Sequence, residues 1–311
     1  MKIRFVALVC LLACSVSSAS FSSLTKKELD LKYAFNETRD WESVLQTTLT
    51  PAVKDYLNQG RYQEAIWLLE EAEEEASASQ VKEFLRNILE QSPFQPEGVI
   101  ALGGGVTETK LVYLTHGVKA VFKVKSSHPS SDFRSEVGAY LVDQLGKFAL
   151  VPMTVFRHQG TKVGSLQYFV EGTKDARKMP DYKKSAQLNV FDYLIRNQDR
   201  TAKNILLLNN REIAIDHGLA LRSSFALGDF LRATDLVRQR IGLRGDFVRM
   251  HFLLPKGHET AFRAHSRILS ALHQLSSEHL VESLSGVLSE ERIQMIWRKK
   301  TKLLKLLEAE S

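Results

Sequence analysis

The strongest constraint on the fold is a change in hydrophobic pattern at Val99, where helical spacing gives way to strand-like runs. Two of these runs, residues 111–114 and 117–125, flank a short turn, which is typical of a β-hairpin. Residues 131–146 then carry apolar side chains at helical spacing. A hairpin followed by one amphipathic helix predicts a small sheet with that helix packed on it.

The remainder of the chain adds a second, mostly helical region. Strands are predicted at residues 150–156 and 164–170, and a helix at residues 185–196. A strand pair spans residues 204–216, and residues 225–311 have mainly helical patterns. The predicted fold class is therefore α+β with two lobes: a small β-rich first lobe, and a helical second lobe that contains a short hairpin.

An all-helical region precedes the sheet. Residues 24–92 contain one segment with apolar side chains at helical spacing, and this segment resembles a tetratricopeptide-type hairpin. No second copy follows at the expected period, so the region is interpreted as a helical preamble that offers a surface to a protein partner. A Pro- and Gly-containing stretch at residues 92–98 separates it from a predicted second domain at residues 99–311.

The first residues have the architecture of a secretory signal. Residues 1–19 combine a basic start, an apolar run and small residues, which predicts cleavage after Ala19. Leu11 to Cys14 also resembles a bacterial lipobox; under that alternative Cys14 is lipidated and attaches the chain to a membrane. A short anchor helix is a third interpretation. The predicted location is periplasmic or secreted, with an outer-membrane lipoprotein as the alternative.

Cysteine use and charge argue against several kinds of site. Cys10 and Cys14 both lie in the signal segment, so the mature chain has no thiol for a disulfide, a nucleophile or a zinc site. The formal net charge of +6 is spread along the chain, which does not predict a nucleic-acid partner. The chain also lacks a Gly-x-Ser-x-Gly motif of the kind that carries a serine nucleophile.

Phosphoryl transfer from a nucleotide requires backbone donors and a cation at the phosphates, metal ligands, and a carboxylate near the acceptor hydroxyl. Residues 103–110 begin with three glycines, which let backbone N–H groups approach phosphates, although the end of a flexible linker has the same composition. In the next strand Val121 and Lys123 share one face, which suits an adenine ring beside a phosphate. Lys125 lies one strand period further on that face and is a rival.

Carboxylates and an amide follow in the expected order. Glu136 lies beside the apolar stripe of the predicted helix, where it can pair with Lys123, although most helix glutamates only face water. Asp199 and Asn204 have the spacing of a catalytic Asp and a metal-binding Asn, and Asp216 follows a short strand where a second metal ligand is expected. Each feature is weak alone, but their order on the right elements predicts a nucleotide site.

The segments NQDRTAKNILLL and IAIDHGLAL resemble the catalytic segment of the atypical kinases, a group that includes the phosphatidylinositol 3- and 4-kinases, the HipA-type bacterial kinases and the secretory four-jointed-like kinases. In that group an arginine follows the catalytic Asp, as Arg200 does here, and FDYLIRNQDR is especially similar to the HipA and four-jointed style. The resemblance covers residues 99–225 and implies a two-lobed protein-kinase-like fold in an exported bacterial member. Thr201 is a departure, because many of these kinases have His there.

The resemblance also implies a role for each residue. Lys123 would contact the phosphates of ATP, with Glu136 as its partner, and Asp199 would be the catalytic base. Asn204 and Asp216 would bind Mg²⁺ or Mn²⁺. The implied nucleotide-binding residues, of which the last three form the adenine hinge, are Gly103, Gly104, Gly105, Val106, Thr107, Val121, Lys123, Tyr168, Phe169 and Val170.

The acceptor hydroxyl stays open, since protein, lipid and small-molecule kinases of this group share these residues. Loops such as residues 172–184 would set its identity. A nucleotidyl (AMP) transferase is the alternative enzyme on the same fold. A pseudokinase that binds nucleotide and acts as an interaction module is the alternative outside enzymes, and an exported protein would need a source of nucleotide.

Overall fold

The computed structural model describes residues 39–103, 107–128, 131–222 and 259–308. The predicted signal segment, with both cysteines, lies outside these residues, and so does the middle of the glycine-rich turn. Signal cleavage and lipidation therefore stay predictions.

Four helices begin the described chain: Trp41–Leu45 (α1), Pro51–Asn58 (α2), Tyr62–Glu71 (α3) and Glu75–Gln91 (α4). The side chain of Thr50 accepts a hydrogen bond from the Val53 N–H, and Pro51 occupies the first turn, so α2 begins with a cap and a preset φ. Gly60 has a φ of +71° and makes the sharp turn into α3, a conformation that glycine adopts without strain. These residues confirm helical structure over most of the predicted preamble.

The first sheet has five antiparallel strands in the spatial order β1-β2-β3-β5-β4. Their bounds are Val99–Leu102 (β1), Thr109–Tyr113 (β2), Lys119–Val124 (β3), Thr154–Gln159 (β4) and Lys162–Tyr168 (β5). Val121 pairs with Leu111 on one side and Gln167 on the other, so these three side chains share a face. The strand predicted at residues 150–156 begins later, because Leu150, Val151 and Met153 are buried in the connection before β4.

One helix, Phe133–Gly146 (α5), follows β3 and packs beside β4 and β5. It begins at Asp132, whose carboxylate accepts a hydrogen bond from the Arg134 N–H. Gly138 lets the segment that contains Leu221 approach the helix closely, because a Cβ at Gly138 would lie 2.9 Å from a methyl of Leu221. The helix therefore sits between the sheet and the second lobe.

The second lobe holds a small three-stranded sheet and four helices among the described residues. The strands are Lys174–Asp175 (β6), Ile205–Leu208 (β7) and Arg211–Ala214 (β8), and the helices are Ala186–Leu194 (α6), Glu259–Gln274 (α7), Ser277–Leu284 (α8) and Glu290–Glu308 (α9). Ile293, Ile296 and Leu303 are buried, so α9 closes this lobe with its apolar face. Within the described part of the chain, no helix has the length and apolar character needed to cross a membrane.

The main apolar core of the described residues runs from Trp41 in α1 to Leu303 in α9, and Leu111 and Tyr113 form a small second cluster. The N-terminal helices cover the face of the first sheet that bears Phe122; Phe94 meets the Phe122 ring edge-on at a centroid distance of 5.3 Å. The buried guanidinium of Arg157 in β4 donates to main-chain carbonyls at the end of α4. Residues 92–98 thus mark a change of secondary structure but not a break in the core.

Candidate active site

Lys123 lies at the centre of the site. Its Nζ is 2.5 Å from Oε1 of Glu136 and 2.9 Å from Oδ1 of Asp216. Burial alone favours the neutral amine, but the two carboxylates hold the pKa of Lys123 above its ordinary value, so the side chain stays a cation. Lys125, the rival from the sequence, is exposed. The structure therefore brings Lys123, Glu136 and Asp216 together from three separate elements.

Glu136 is buried on the first turn of α5, and both of its carboxylate oxygens have partners. Oε1 contacts Lys123, and Oε2 accepts a hydrogen bond of 2.9 Å from the backbone N–H of His217. Burial acts to raise the pKa of Glu136, but the Lys123 charge and the His217 contact outweigh it and hold that pKa below its ordinary value. The charge of Glu136 thus ties α5 to the segment that carries Asp216.

The loop from Asp199 to Asn204 folds back on itself. Nδ2 of Asn204 donates to the main-chain oxygen of Asp199 at 2.8 Å and to its carboxylate Oδ2 at 3.4 Å. The Ile215 N–H donates to the main-chain oxygen of Asn204 at 3.1 Å, which places Asp216 next to Asn204. The three residues predicted to act on metal and acceptor are therefore contiguous in space.

Asn204 and Asp216 fit the ligand preferences of Mg²⁺ and Mn²⁺. Each offers an oxygen, Oδ1 of Asn204 and Oδ2 of Asp216, that accepts no hydrogen bond from the described residues. Asp216 also has a φ of +59°, a conformation that costs energy for a non-glycine residue and is concentrated at functional sites. Among the described residues no group of three or more His, Cys, Asp or Glu forms a metal cage. A hard cation bound by few protein oxygens completes its shell with water and phosphate.

Arg200 lies within the candidate site, and its contacts were not predicted from the sequence. Its guanidinium is buried and donates to the carboxylate of Asp192 at 3.1 Å and to the main-chain oxygens of Asn204 and Ile215 at 2.6 Å each. It also contacts Nε2 of His217 at 2.7 Å. One sequence feature could have indicated the contact with Asp192. Asp192 is a polar residue in a mostly apolar helix, seven residues before Asp199.

His217 links that arginine to Glu136. Because Arg200 can only donate, Nε2 of His217 accepts, which places the ring proton on Nδ1, 3.6 Å from Oε2 of Glu136. Burial lowers the pKa of His217, so the imidazole is neutral at pH 7. A neutral histidine thus connects Glu136 of α5 to Arg200 in the loop at residues 199–204, which is called the catalytic-type loop below.

The structure describes some, but not all, of the residues predicted to contact the nucleotide. Val121 lies on the Lys123 face, and Thr107 donates to the Ser131 hydroxyl at 2.7 Å, which joins the glycine-rich turn to the start of α5. A Cβ built on Gly103 would meet no described atom within 4 Å, so the turn is open there. Gly104, Gly105 and Val106 lie outside the described residues.

The three residues of the predicted hinge place their side chains differently, beginning with Tyr168. Its ring lies on the opposite face of the sheet from Val121, where the hydroxyl contacts the N-terminal helices. Phe169 instead packs beside Leu111 on the Val121 face, and the side chain of Val170 belongs to the main core. Neighbouring residues of a strand point to opposite faces, which explains why the Tyr168 side chain points away from Val121. The role of residues 168–170 as an adenine hinge stays a prediction.

Comparison with known proteins identifies the family. The family model named phosphatidylinositol 3- and 4-kinase matches residues 79–285, more than half of the chain. Among solved structures, the Golgi casein kinase matches with a TM-score of 0.44 and 16% identity over 74% of this chain and 75% of its own. The same kinase with Mn/ADP bound gives a TM-score of 0.45 and 16% identity over 74% and 76%.

The Helicobacter pylori proinflammatory kinase CtkA matches with a TM-score of 0.47 and 14% identity over 71% of this chain and 96% of its own. A search of the curated proteins gives no significant match. The specific likeness to HipA-type and four-jointed-like kinases stays a prediction. The family match confirms the wider resemblance: this chain belongs to the phosphatidylinositol 3- and 4-kinase family.

Proposed function

We propose that the protein is an ATP-dependent kinase that uses Mg²⁺ or Mn²⁺ and transfers the γ-phosphoryl group to a hydroxyl. The observation that carries the proposal is the position of Lys123 between Glu136 and Asp216. A lysine fixed by a helix carboxylate and placed beside a metal-binding type of Asp is the arrangement that phosphoryl transfer requires. Family membership supports the same reaction class.

Each residue is assigned one task in this proposal. Lys123 neutralises charge on the phosphates, and Glu136 keeps its ammonium aimed at them. The carboxylate of Asp199 accepts the acceptor's proton as that oxygen bonds to the γ-phosphorus, while the bond from phosphorus to the bridging oxygen breaks and ADP leaves. Asn204 and Asp216 would hold the cation, which, when bound, neutralises the charge that develops on the phosphate oxygens.

The acceptor is the least specified part of the proposal. The loop at residues 172–184 is the candidate for acceptor recognition because it runs from the end of the first sheet to α6, beside the catalytic-type loop. Its conformation is fixed by buried Glu212, which accepts hydrogen bonds from the Tyr182 hydroxyl at 2.5 Å and the Ser185 N–H at 2.8 Å. The proposal includes export of the mature chain, so the acceptor and the nucleotide would be met outside the cytoplasm.

Labelled ATP distinguishes the candidate activities. The purified mature chain and its Asp199→Asn variant are incubated with Mn²⁺ and ATP labelled at the γ- or the α-phosphate, in the presence of protein, inositol-lipid vesicle and sugar acceptors. Transfer of γ-label that the variant lacks is the expected result. Transfer of α-label would replace the kinase by a nucleotidyl transferase, and binding without any transfer would leave a pseudokinase.

A further inference from the structure

One face of α3 carries polar and aromatic side chains where a covering helix normally carries aliphatic ones. Gln63, Glu64, Trp67 and Glu71 recur at intervals of one, three and four residues, so they form one stripe along the helix. Gln63 and Glu64 are buried polar residues, at 1% and 3% exposure. Because an unpaired buried polar group is costly, this stripe has partners elsewhere in the molecule.

The N-terminal end of the stripe holds the first sheet. Oε1 of Gln63 accepts a hydrogen bond of 2.7 Å from the Met153 N–H, just before β4. The Tyr168 hydroxyl, at the end of β5, donates to Oε2 of Glu64 at 3.3 Å and lies 3.4 Å from the main-chain oxygen of Gly60. Tyr168 is the first residue of the predicted hinge, so α3 contacts the sheet where the two lobes are joined.

The other end of the stripe holds the second lobe. The guanidinium of Arg211, the first residue of β8, lies over the Trp67 ring at 4.9 Å from its centroid and forms an ion pair with Glu71. The β7–β8 hairpin that Arg211 belongs to follows Asn204 directly and ends two residues before Asp216. The stripe therefore connects the sheet that bears Lys123 with the hairpin that lies between the two candidate metal ligands, Asn204 and Asp216.

We propose that this α3 stripe (Gln63, Glu64, Trp67 and Glu71) is a positioning element that fixes the two lobes relative to each other behind the nucleotide cleft. The family match begins at residue 79, after α3, so this element is an addition to the part of the chain that the family describes. In two-lobed enzymes the hinge residues absorb the motion that opens the cleft. A helix bonded to both sides of the hinge restricts that motion and keeps Lys123 aligned with Asn204 and Asp216. The effect on nucleotide binding and catalysis rests on the proposed function, whereas the restriction of motion between the lobes does not.

Two substitutions each remove a contact of the stripe, one at each end. Gln63→Leu keeps the size of the side chain but removes the acceptor for the Met153 N–H, and Arg211→Met removes the guanidinium over Trp67. Gln63→Glu keeps an acceptor at the same place and serves as the conservative rescue. Val53→Ala is the matched control, since it makes a cavity in the core of the same helical region and leaves the four stripe residues unchanged.

Two readouts separate positioning from simple stability. Gln63→Leu and Arg211→Met should raise the KM for Mn²⁺-ATP about fivefold or more, the lower end of ordinary coupling between sites. They should also speed amide hydrogen exchange across residues 205–214 without nucleotide. Gln63→Glu should restore both values, and Val53→Ala should lower the thermal midpoint but change neither.

The proposal is overturned if the two stripe variants lose thermal stability like Val53→Ala while KM and hairpin exchange stay at the wild-type values. If the wild-type chain binds no nucleotide, the proposed function fails on its own. The exchange of residues 205–214 then still decides whether α3 fixes the hairpin.

Discussion

Lys123 and Lys125 are two residues apart, which is one period of a strand, but their surroundings in the structure differ. Lys123 is enclosed by Glu136 and Asp216, whereas Lys125 is exposed beyond the end of β3. The period of two gave both residues the same face, so spacing alone could not separate them. The distinguishing information is the position of α5, which only the tertiary fold supplies.

Replacing these lysines tests that distinction. Lys123→Met should reduce phosphoryl transfer about 100-fold or more, the usual cost of removing one fixed electrostatic contact from a transition state. Lys125→Met is the matched control and should leave the rate close to wild type. γ-Label transfer by both variants, with unfolding curves to show that each is folded, checks the prediction. A large loss from Lys125→Met alone would contradict the assignment.

Asp143 is a buried carboxyl that the proposed chemistry does not use. It lies in the last turn of α5, and its Oδ1 accepts a hydrogen bond of 2.9 Å from the Leu150 N–H, while Oδ2 has no hydrogen-bond partner among the described residues. Burial raises the pKa of Asp143 to about 7, and the charge of Glu70 acts in the same direction. The folded protein therefore keeps this proton over a pH range in which the unfolded chain has lost it.

This shift predicts a pH dependence of stability. The stabilising contribution of the proton is complete below pH 4, declines as the pH rises, and is lost above pH 7, by up to about 4 kcal/mol in the free energy of unfolding. Asp143→Asn should flatten that part of the profile and be the more stable form at pH 8. Denaturant unfolding at pH 5 and pH 8 measures the free energy of unfolding of the wild type and of Asp143→Asn. Equal changes with pH in the two proteins would refute the prediction.

At the scale of elements, Arg200 joins α6, the catalytic-type loop and the strand that leads to Asp216. One guanidinium contacts Asp192, the oxygens of Asn204 and Ile215, and the ring of His217. Such a set suits the planar, five-donor geometry of arginine and cannot be reproduced by lysine. The metal-ligand geometry should therefore depend on Arg200 even though this residue binds no metal.

Arg200→Lys tests this connection. The variant should lose about 2–4 kcal/mol of unfolding free energy, because buried acceptors are left unpaired, and it should bind Mn²⁺-ATP more weakly. Arg177→Lys changes an exposed arginine paired with Asp175 and should leave the free energy of unfolding close to that of the wild type. Chemical denaturation and nucleotide titration of both variants provide the check. Equal effects of the two substitutions would show that burial of Arg200 is unimportant.

Strands and helices with a clear period were predictable, and side-chain placement at their ends was not. The β2–β3 hairpin, α5 and the β7–β8 hairpin match the expected residues, since period, turn and cap agreed at each. The expected strand at residues 150–156 begins at Thr154, because an apolar buried connection looks like a strand in sequence. Tyr168 faces the helical preamble for a related reason: the sequence does not say which face of a sheet a covering helix occupies.

At the scale of the molecule, the N-terminal helices belong to the same core as the kinase-family region. The family match begins inside α4, so its boundary cuts a helix whose Val81, Leu85 and Leu89 are fully buried. A cut through a packed helix does not separate independent units, because each unit needs its own buried core to fold. The helices are thus part of the folding unit.

Removing residues 39–91 should therefore abolish cooperative folding. The truncation exposes the back face of the first sheet, where Phe122, Leu166 and Tyr168 are now buried, and such a patch favours aggregation. Size-exclusion chromatography and thermal unfolding of the truncated chain should show aggregates without a sharp transition. A soluble monomer with a cooperative transition would instead show that residues 99–311 form an independent domain.

If Lys123, Asn204 and Asp216 form a nucleotide site, the chain binds nucleotide between its two lobes in a metal-dependent way. The direct measurement is a thermal-shift titration of the mature chain with ATP and Mn²⁺ or Mg²⁺, beside the Asp216→Asn variant. The wild type should be stabilised by about 2.7 kcal/mol at a ligand concentration of 100 times Kd, only when ATP and metal are both present. Asp216→Asn should lose most of that shift. A folded wild type that shows no shift, or a variant with an equal shift, would contradict the assignment of this cleft.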